Sequence, residues 1–563
     1  MAVGGILWRR SWGWRVGLPL IACALGLGGA VIATKASSAP DVTHTVTAGV
    51  VRHQASTFTD NVMSFGANPD GSADNTVAFA NAIAAAENAG GGTVLVPAGT
   101  YAFTQVLNNV LPSSIKIPGP APVTIMGPPP SSTPCTSPTC DGATLVEAVA
   151  GQRLMEVGNQ KQPSVATGSM VENLTLNTRS YGGGPDLTVY STDTTVDDDA
   201  VLGAFKTVTI GAAQETPYAL SFPGPPNADH TTGLYTSGNI VENTYIEDGV
   251  NNDGISFSYQ DNSTISNITY FGSRLALYKD SNVTVDNFSY TPNPECTSIA
   301  ENGFFITAPS SDITITGFTS SAAGGVIGGP AQTGTSTGIT ISDETMTGGP
   351  GPVSLPYHLA VGNVSDLTVS DSNLSGLKFD PTTSVSATLI EDTEMPIVQF
   401  QGYNGADPNA SVSATFEDDS FPASTFSPPA PTFEQITGPV GPATVTVTGG
   451  TWSNSATGFY QGTTGSTFTV TGLAPVDNAP PVISGTPDVG DPLTANNNWQ
   501  AGQTPAPSFA YQWNADGSPI AGAVSSTYTP VAGNFGQSVT VTVTATNTTG
   551  STVVTSPAVT VKR

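Results

Sequence analysis

From about residue 239 the chain repeats short runs in which apolar residues alternate with Thr, Ser or Asn. Among them are Asn262-Ser263-Thr264-Ile265, Asn282-Val283-Thr284-Val285, Asp312-Ile313-Thr314-Ile315, Gly338-Ile339-Thr340-Ile341 and Asp366-Leu367-Thr368-Val369. A period of two predicts a half-buried strand. The runs open on Asn, Asp, Ser or Gly and recur about every 20 to 30 residues, the spacing of a solenoid. One such coil cannot bury its own apolar face, so stacked neighbours must supply the core. Val and Thr are abundant because β-branched side chains suit strands. The pattern extends to about residue 475.

Upstream, Asp74-Asn75 precede an alanine-rich stretch, Thr76 to Asn88, and Gly90-Gly91-Gly92 follow it. Asn or Asp before and Gly after are helix start and stop signals. The spacing places Val77, Ala80, Ile83 and Ala84 on one face. Thr93 to Val96 then reads as a strand, and Pro97 to Tyr101 as a turn into the next. Downstream, Val476-Asp477-Asn478-Ala479-Pro480-Pro481 marks a boundary. Beyond it, short strands separated by turn clusters predict a small β-sandwich, with Trp513 in its core.

The run "FGANPDGSADNTVAFANAIAAAENAGGGTVLVPAGTYAF" resembles the opening motif of the pectate-lyase-3, polygalacturonase-related and epimerase-like proteins. That resemblance implies a pectin-lyase-like, right-handed parallel β-helix whose short N-terminal helix caps the core. The run "YQWNADGSPIAGAVSSTYTPVAGNFGQSVTVTVTATN" is similar to the immunoglobulin-like repeats of secreted actinobacterial proteins. The expected fold class is therefore all-β. Its expected parts are a signal peptide at 1–39, a linker at 40–57, the β-helix at 58–475, a linker at 476–481 and an immunoglobulin-like sandwich at 482–563.

Composition adds an address and an exclusion. Arg9, Arg10 and Arg15 precede an apolar stretch from Val16 to Ala33, and small residues follow from Ala36 to Ala39, as in an export signal. Leu20-Ile21-Ala22-Cys23 resembles a bacterial lipobox, so secretion with cell-surface association stays open. Lys and Arg number 15 against 43 Asp and Glu, a formal charge of -28. Loss of the first 39 residues would leave 11 cations against all 43 acids. Such a surface argues against nucleic acid, whose phosphates need clustered Lys and Arg. Cys135 and Cys140 are spaced to close a small disulfide loop, as exported chains permit. Cys296 is left over and reads as a buried thiol.

Candidate chemistry falls on three consecutive coils. Asn251-Asn252-Asp253-Gly254 resembles the Asn-Thr-Asp-Gly motif of polygalacturonases, with Asn252 in place of Thr. The resemblance makes Asp253 the leading catalytic carboxylate. On the next coils, Ser273-Arg274 and Glu301-Asn302-Gly303 stand where that family has paired Asp and Gly-His-Gly. Inverting hydrolysis needs two carboxyls about 6.5–9.5 Å apart, and Asp253 with Glu301 or with Asp248 is the candidate pair. Arg274 is the candidate cation beside them. Asn252, Asn302, Tyr245 and Glu247 are the candidate substrate contacts. The turn reading competes: Asp caps, and Gly takes a positive φ.

Three functions stay open. The first is hydrolysis of glycosidic bonds in a cell-wall or extracellular polysaccharide, with no cofactor required. The second is a uronate lyase using Ca2+ and Arg274. The third is a non-catalytic adhesin or glycan-binding stalk. Polysaccharide is the expected partner in each, and the sequence does not name an oligomeric state. The acidic runs Asp197-Asp198-Asp199 and Glu417-Asp418-Asp419 read as solvated loops ahead of hard-cation clusters. The segment 181–230, with Tyr181, Tyr190, Tyr218, Phe222 and Tyr235 in or beside it, reads as an insertion walling a groove.

Overall fold

The structure is a computed structural model and describes most of residues 58–563. Residues 1–57 lie outside it, as do internal segments, chief among them 107–112, 180–185, 226–234, 249–252, 294–301, 347–358, 401–409, 422–432 and 453–466. The export signal, the lipobox, the first linker and Cys296 therefore fall outside the described residues.

Alternation along the chain becomes a parallel β-helix. A 12-stranded parallel sheet runs from Ser113–Ile117 to Phe433–Gln435, one strand per coil. A larger sheet wraps the remaining sides, and its last ladder joins Ala443–Thr448 to Thr467–Thr471. The coils around the candidate site use β1 (Tyr245–Glu247), β2 (Ile255–Ser258), β3 (Gln260–Gly272), β4 (Leu275–Tyr278), β5 (Ser281–Pro292), β6 (Asn302–Thr307) and β7 (Ser311–Ser320). The register is strict. Ile265 pairs with Val285, Val285 with Ile315, Ile315 with Ile341 and Ile341 with Val369, all buried. Each such side chain contributes about 1.5–3 kcal/mol by leaving water. Aromatic rungs stack too: Phe288 lies 5.5 Å from Phe318, nearly parallel to it.

The polar residues that open each run hold the corners. Asn262, Asn282, Asp312 and Asp366 all have positive φ, and so do Asn243, Asn267 and Asn287 at the opposite corner. Asn tolerates this left-handed conformation better than other side chains. The second set also bonds coil to coil. Asn287 donates to Asn267 at 2.8 Å, Asn267 to Asn243 at 3.1 Å and Asn243 to Asp197 at 2.8 Å.

Helix α1 spans Thr76–Asn88, as the sequence indicates. Its buried face differs from the expected one. Phe79, Ala82, Ile83 and Ala86 are buried, while Val77, Ala80 and Ala84 are exposed. Phe79 decides the rotation, because its ring packs edge-on against Tyr101 and Phe103, at 5.6 and 5.2 Å. Asn75 also departs from its expected cap role. Its side chain makes no cap bond; it accepts the Asn68 amide at 2.7 Å and donates to the Ala102 carbonyl at 3.1 Å.

The segment 181–230 is a correction as well. Leu187–Val189 and Leu220–Phe222 are strands of the 12-stranded sheet, and Thr195–Asp197 and Ala200–Leu202 belong to the larger one. Most of the segment's described residues belong to coils of the β-helix, with one antiparallel pair among them, Val208–Ile210 with Ala213–Glu215. Its dense Thr and Gly hid the short strands. Phe222 is accordingly core, and Tyr190 is buried with its hydroxyl on Arg153.

The final strands form two antiparallel sheets around a separate core, a β-sandwich. Strands β8 (Ser508–Ala515) and β9 (Ser538–Thr546) pair with Trp513 opposite Val541. Trp513 is buried, and its indole donates to the Ser525 carbonyl at 2.9 Å.

Candidate functional site

Each coil leaves the larger sheet and turns into the 12-stranded one through a connection of variable length. Between β1 and β2 it is 248–254, between β3 and β4 it is 273–274, and between β5 and β6 it is 293–301. Ile255 pairs with Leu275 and Leu275 with Phe304, so the residues that enter these strands sit side by side.

This register brings Asp253 and Arg274 together. The Arg274 guanidinium donates to one oxygen of Asp253 through Nε, and the Tyr278 hydroxyl donates to the other. Asp253 is 1% exposed. Arg274 also lies over the Phe305 ring, 4.6 Å from its centre, and Phe305 meets Tyr278 edge-on at 6.4 Å. Burial pulls the Arg274 guanidinium down, but Asp253 and Tyr278 outweigh it and hold it above its ordinary range. The result is a buried carboxylate held by a guanidinium and a phenol over an aromatic floor.

Asp248 belongs to a second network behind this one. It is fully buried and accepts the Tyr270 hydroxyl at 2.5 Å and the Ser273 amide at 3.2 Å. Asn293 donates to its backbone carbonyl at 2.7 Å. Burial drives the Tyr270 hydroxyl well up, and the Asp248 charge adds to it. Asp186, two coils earlier, is pushed well up by burial, with Asp248 adding again. Gly254 and Gly272 are needed here, because a Cβ at either position would run into Tyr270 and Asp248.

Tyr245 and Glu247 lie elsewhere, on the outer face of the larger sheet. Tyr245 donates to Glu247 at 2.9 Å and clusters with Cys135, Ala200 and Leu202, while Arg179 pairs with Glu247. Cys135 is buried and disulfide-bonded, and Cys140 lies outside the described residues. So do Asn252 and Glu301; Asn302 opens β6. Sequence reasoning missed Tyr278, Tyr270 and Phe305. Period two could have found the first, since Ala276 and Tyr278 share one face of β4 and Arg274 immediately precedes that strand at the same spacing.

The described residues around Asp253 do not fit Ca2+. A guanidinium and a hydroxyl already engage both carboxylate oxygens, and among the described residues no cluster of three His, Cys, Asp or Glu is arranged for a metal ion. No step is derived through Ca2+. The acidic runs differ from expectation as well: Asp199 and Asp419 are buried, each accepting a backbone amide, from Leu174 at 2.7 Å and from Thr393 at 2.9 Å.

Comparison with known proteins addresses the fold around this corner. Residues 59–298 match the family described as rhamnogalacturonase A/epimerase, pectate lyase-like. This stretch carries a pectin-lyase-like β-helix. The match includes the opening motif, Asp253 and Arg274. No curated protein matches the sequence. Three similar solved structures have low identity. The mannuronan C-5 epimerase A-module of Azotobacter vinelandii is 17% identical, with 69% of this chain and 94% of that one covered and a TM-score of 0.36. The exopolygalacturonase of Thermotoga maritima is 12% identical, with 69% and 92% covered and a TM-score of 0.34. A surface adhesin of Streptococcus pneumoniae is 12% identical, with 79% and 99% covered and a TM-score of 0.37.

Proposed function

We propose that this protein is a secreted, carbohydrate-active enzyme that hydrolyses glycosidic bonds of a cell-wall or extracellular polysaccharide at the Asp253 corner. The observation that carries the reading is the joining of Asp253, Arg274 and Tyr278 over Phe305 across three successive coils. A carboxylate with a phenol on one oxygen has a route for a proton. The family match over 59–298 supports carbohydrate as the substrate class. In this reading Asp253 handles the proton of the reacting group, and Arg274 and Tyr278 orient it. Asp248 and Tyr270 fix the backbone from which Arg274 projects.

The test is a panel of polysaccharides scored for new reducing ends and for unsaturated products. Hydrolysis gives reducing ends alone, and Asp253→Asn lowers the rate at least about a hundredfold, the scale of general acid–base catalysis. Unsaturated products would instead mark a lyase.

The second reading is a glycan-binding adhesin. It is favoured by the near-complete burial of Asp253 and the engagement of both its oxygens. Binding without any cleavage across the panel would decide for it.

A further inference from the structure

The corner that carries Asn243, Asn267 and Asn287 changes chemistry further along the helix. After Gly317 its left-handed position is taken by Asp343, Asp371, Asp392 and Asp418, on four successive coils. Neighbouring coils are about 4.8 Å apart. An asparagine has both a donor and an acceptor, so it can ladder along this column, whereas an ionised aspartate has acceptors only. Like charges facing each other at this spacing destabilise a sheet.

The surroundings deepen the problem. In front of the aspartates run Thr345, Asn373, Glu394 and Ser420, bridged coil to coil. Behind them run Glu344, Ser372, Thr393 and Asp419, all buried. The inner column is tied to the backbone: the Glu344 amide donates to Ser372 at 3.1 Å, and the Thr393 amide to Asp419 at 2.9 Å. The second oxygen of Asp419 is buried and accepts no hydrogen bond. On the adjoining strands, Glu391 stands in register with Glu417. The aspartates and the front column, with Glu344, Ser372 and Thr393 behind them, line a groove of about 550 Å3 with no Lys, Arg or His among its lining residues.

We propose that this acidic corner is a proton-operated clamp on coils 343–420. Protons taken up by the cluster supply the missing donors and relieve the repulsion, so the coils pack tightly in acid and loosen as the cluster ionises. Glu344, Asp419 and Glu391 are the groups that take up the protons. Burial drives Glu344 well up, and Asp343 adds to it. Burial raises Asp419 to about 7, with the Asp392 and Asp418 charges adding. Burial also raises Glu391, with Asp392, Glu417 and Asp371 adding. Raised carboxyls stabilise fully below their unfolded values, and that stability is lost as pH rises through the folded ones. The clamp therefore opens as pH rises from the ordinary carboxylate range through about 7, where Asp419 ionises.

The test is hydrogen exchange by mass spectrometry on the full chain at about pH 5 and about pH 8, corrected for intrinsic exchange. Peptides from 343–420 report the clamp, and peptides from the paired sandwich strands, 508–546, are the internal control. Protection in 343–420 should fall by on the order of tenfold or more relative to the control, one pKa unit being a factor of ten. Asp371→Asn with Asp392→Asn should reduce that fall, since it removes charges that add to the rise of Asp419 and Glu391. Equal changes in both segments, or an unchanged fall in the Asn variant, overturn the proposal. Recovery at the higher pH on adding CaCl2 also overturns it, because the partner would then be a divalent cation.

Discussion

Asp253 shows how far a single residue can be read from sequence. Its contact with Arg274 follows from register alone, since Ile255 pairs with Leu275 and the residues just before them meet. The bond to Tyr278 does not follow, because it depends on a side chain lying back along β4 toward Asp253. The Asp248–Tyr270 pair was equally hidden: two residues 22 apart meet only inside the coil. Removing one partner of a buried pair leaves the other uncompensated. Arg274→Leu should therefore lower stability by about 3–5 kcal/mol, and Arg274→Leu with Asp253→Leu by less. Urea denaturation of the two variants checks the order. Gly254→Ala should disrupt this corner without adding or removing a charge, because its methyl group would overlap Asp248 and Tyr270. Loss of polysaccharide binding or turnover beyond the loss in melting temperature would show it.

The repeating unit was legible at the level of strands. Alternation and corner residues located the runs, and the structure returns them in register from Asn262 to Asp366. Coils with short strands were not legible: Leu187–Val189 and Ala200–Leu202 have three residues each, too few for a period to show. The helix was legible in its limits but not in its rotation, because alanine gives little contrast between faces and Phe79 alone sets it. Phe79→Ala should lower stability by about 3–5 kcal/mol, while Val77→Ala should change it little. Thermal unfolding of both variants separates them. At the corners, Asn267→Ala loses a left-handed residue and two ladder bonds, and should cost about 1–3 kcal/mol. Asn267→Gly should recover part of that, since Gly accepts the backbone angle but not the bonds.

Across the whole molecule, charge is scarce and mostly negative, and several acids are inside. Burial raises Glu147 to about 7, opposed by hydrogen bonds from Ser114 and the Val149 amide, and raises Asp280 to about 7, opposed by the Gln260 amide. Both lie above their unfolded values, so their stabilisation is complete below about pH 4 and is lost as pH rises through 7. The melting temperature should fall between about pH 5 and about pH 8, and Asp280→Asn should flatten that slope. A melting temperature that rises over this range would refute the assignment. The -28 balance was plain in the sequence, but which acids are inside was not, because Asp199 and Asp419 sit in runs that read as solvent-facing. The connections between the two sheets carry a last consequence. Only two residues, 273–274, join β3 to β4, whereas nine, 178–186, join Leu174–Asn177 to Leu187–Val189, yet β4 and Leu187–Val189 belong to one ladder. Since length at that edge is uncoupled from strand alignment, segments grafted there would leave the scaffold undisturbed, and the corner is a ready position for exchanging one recognition loop for another.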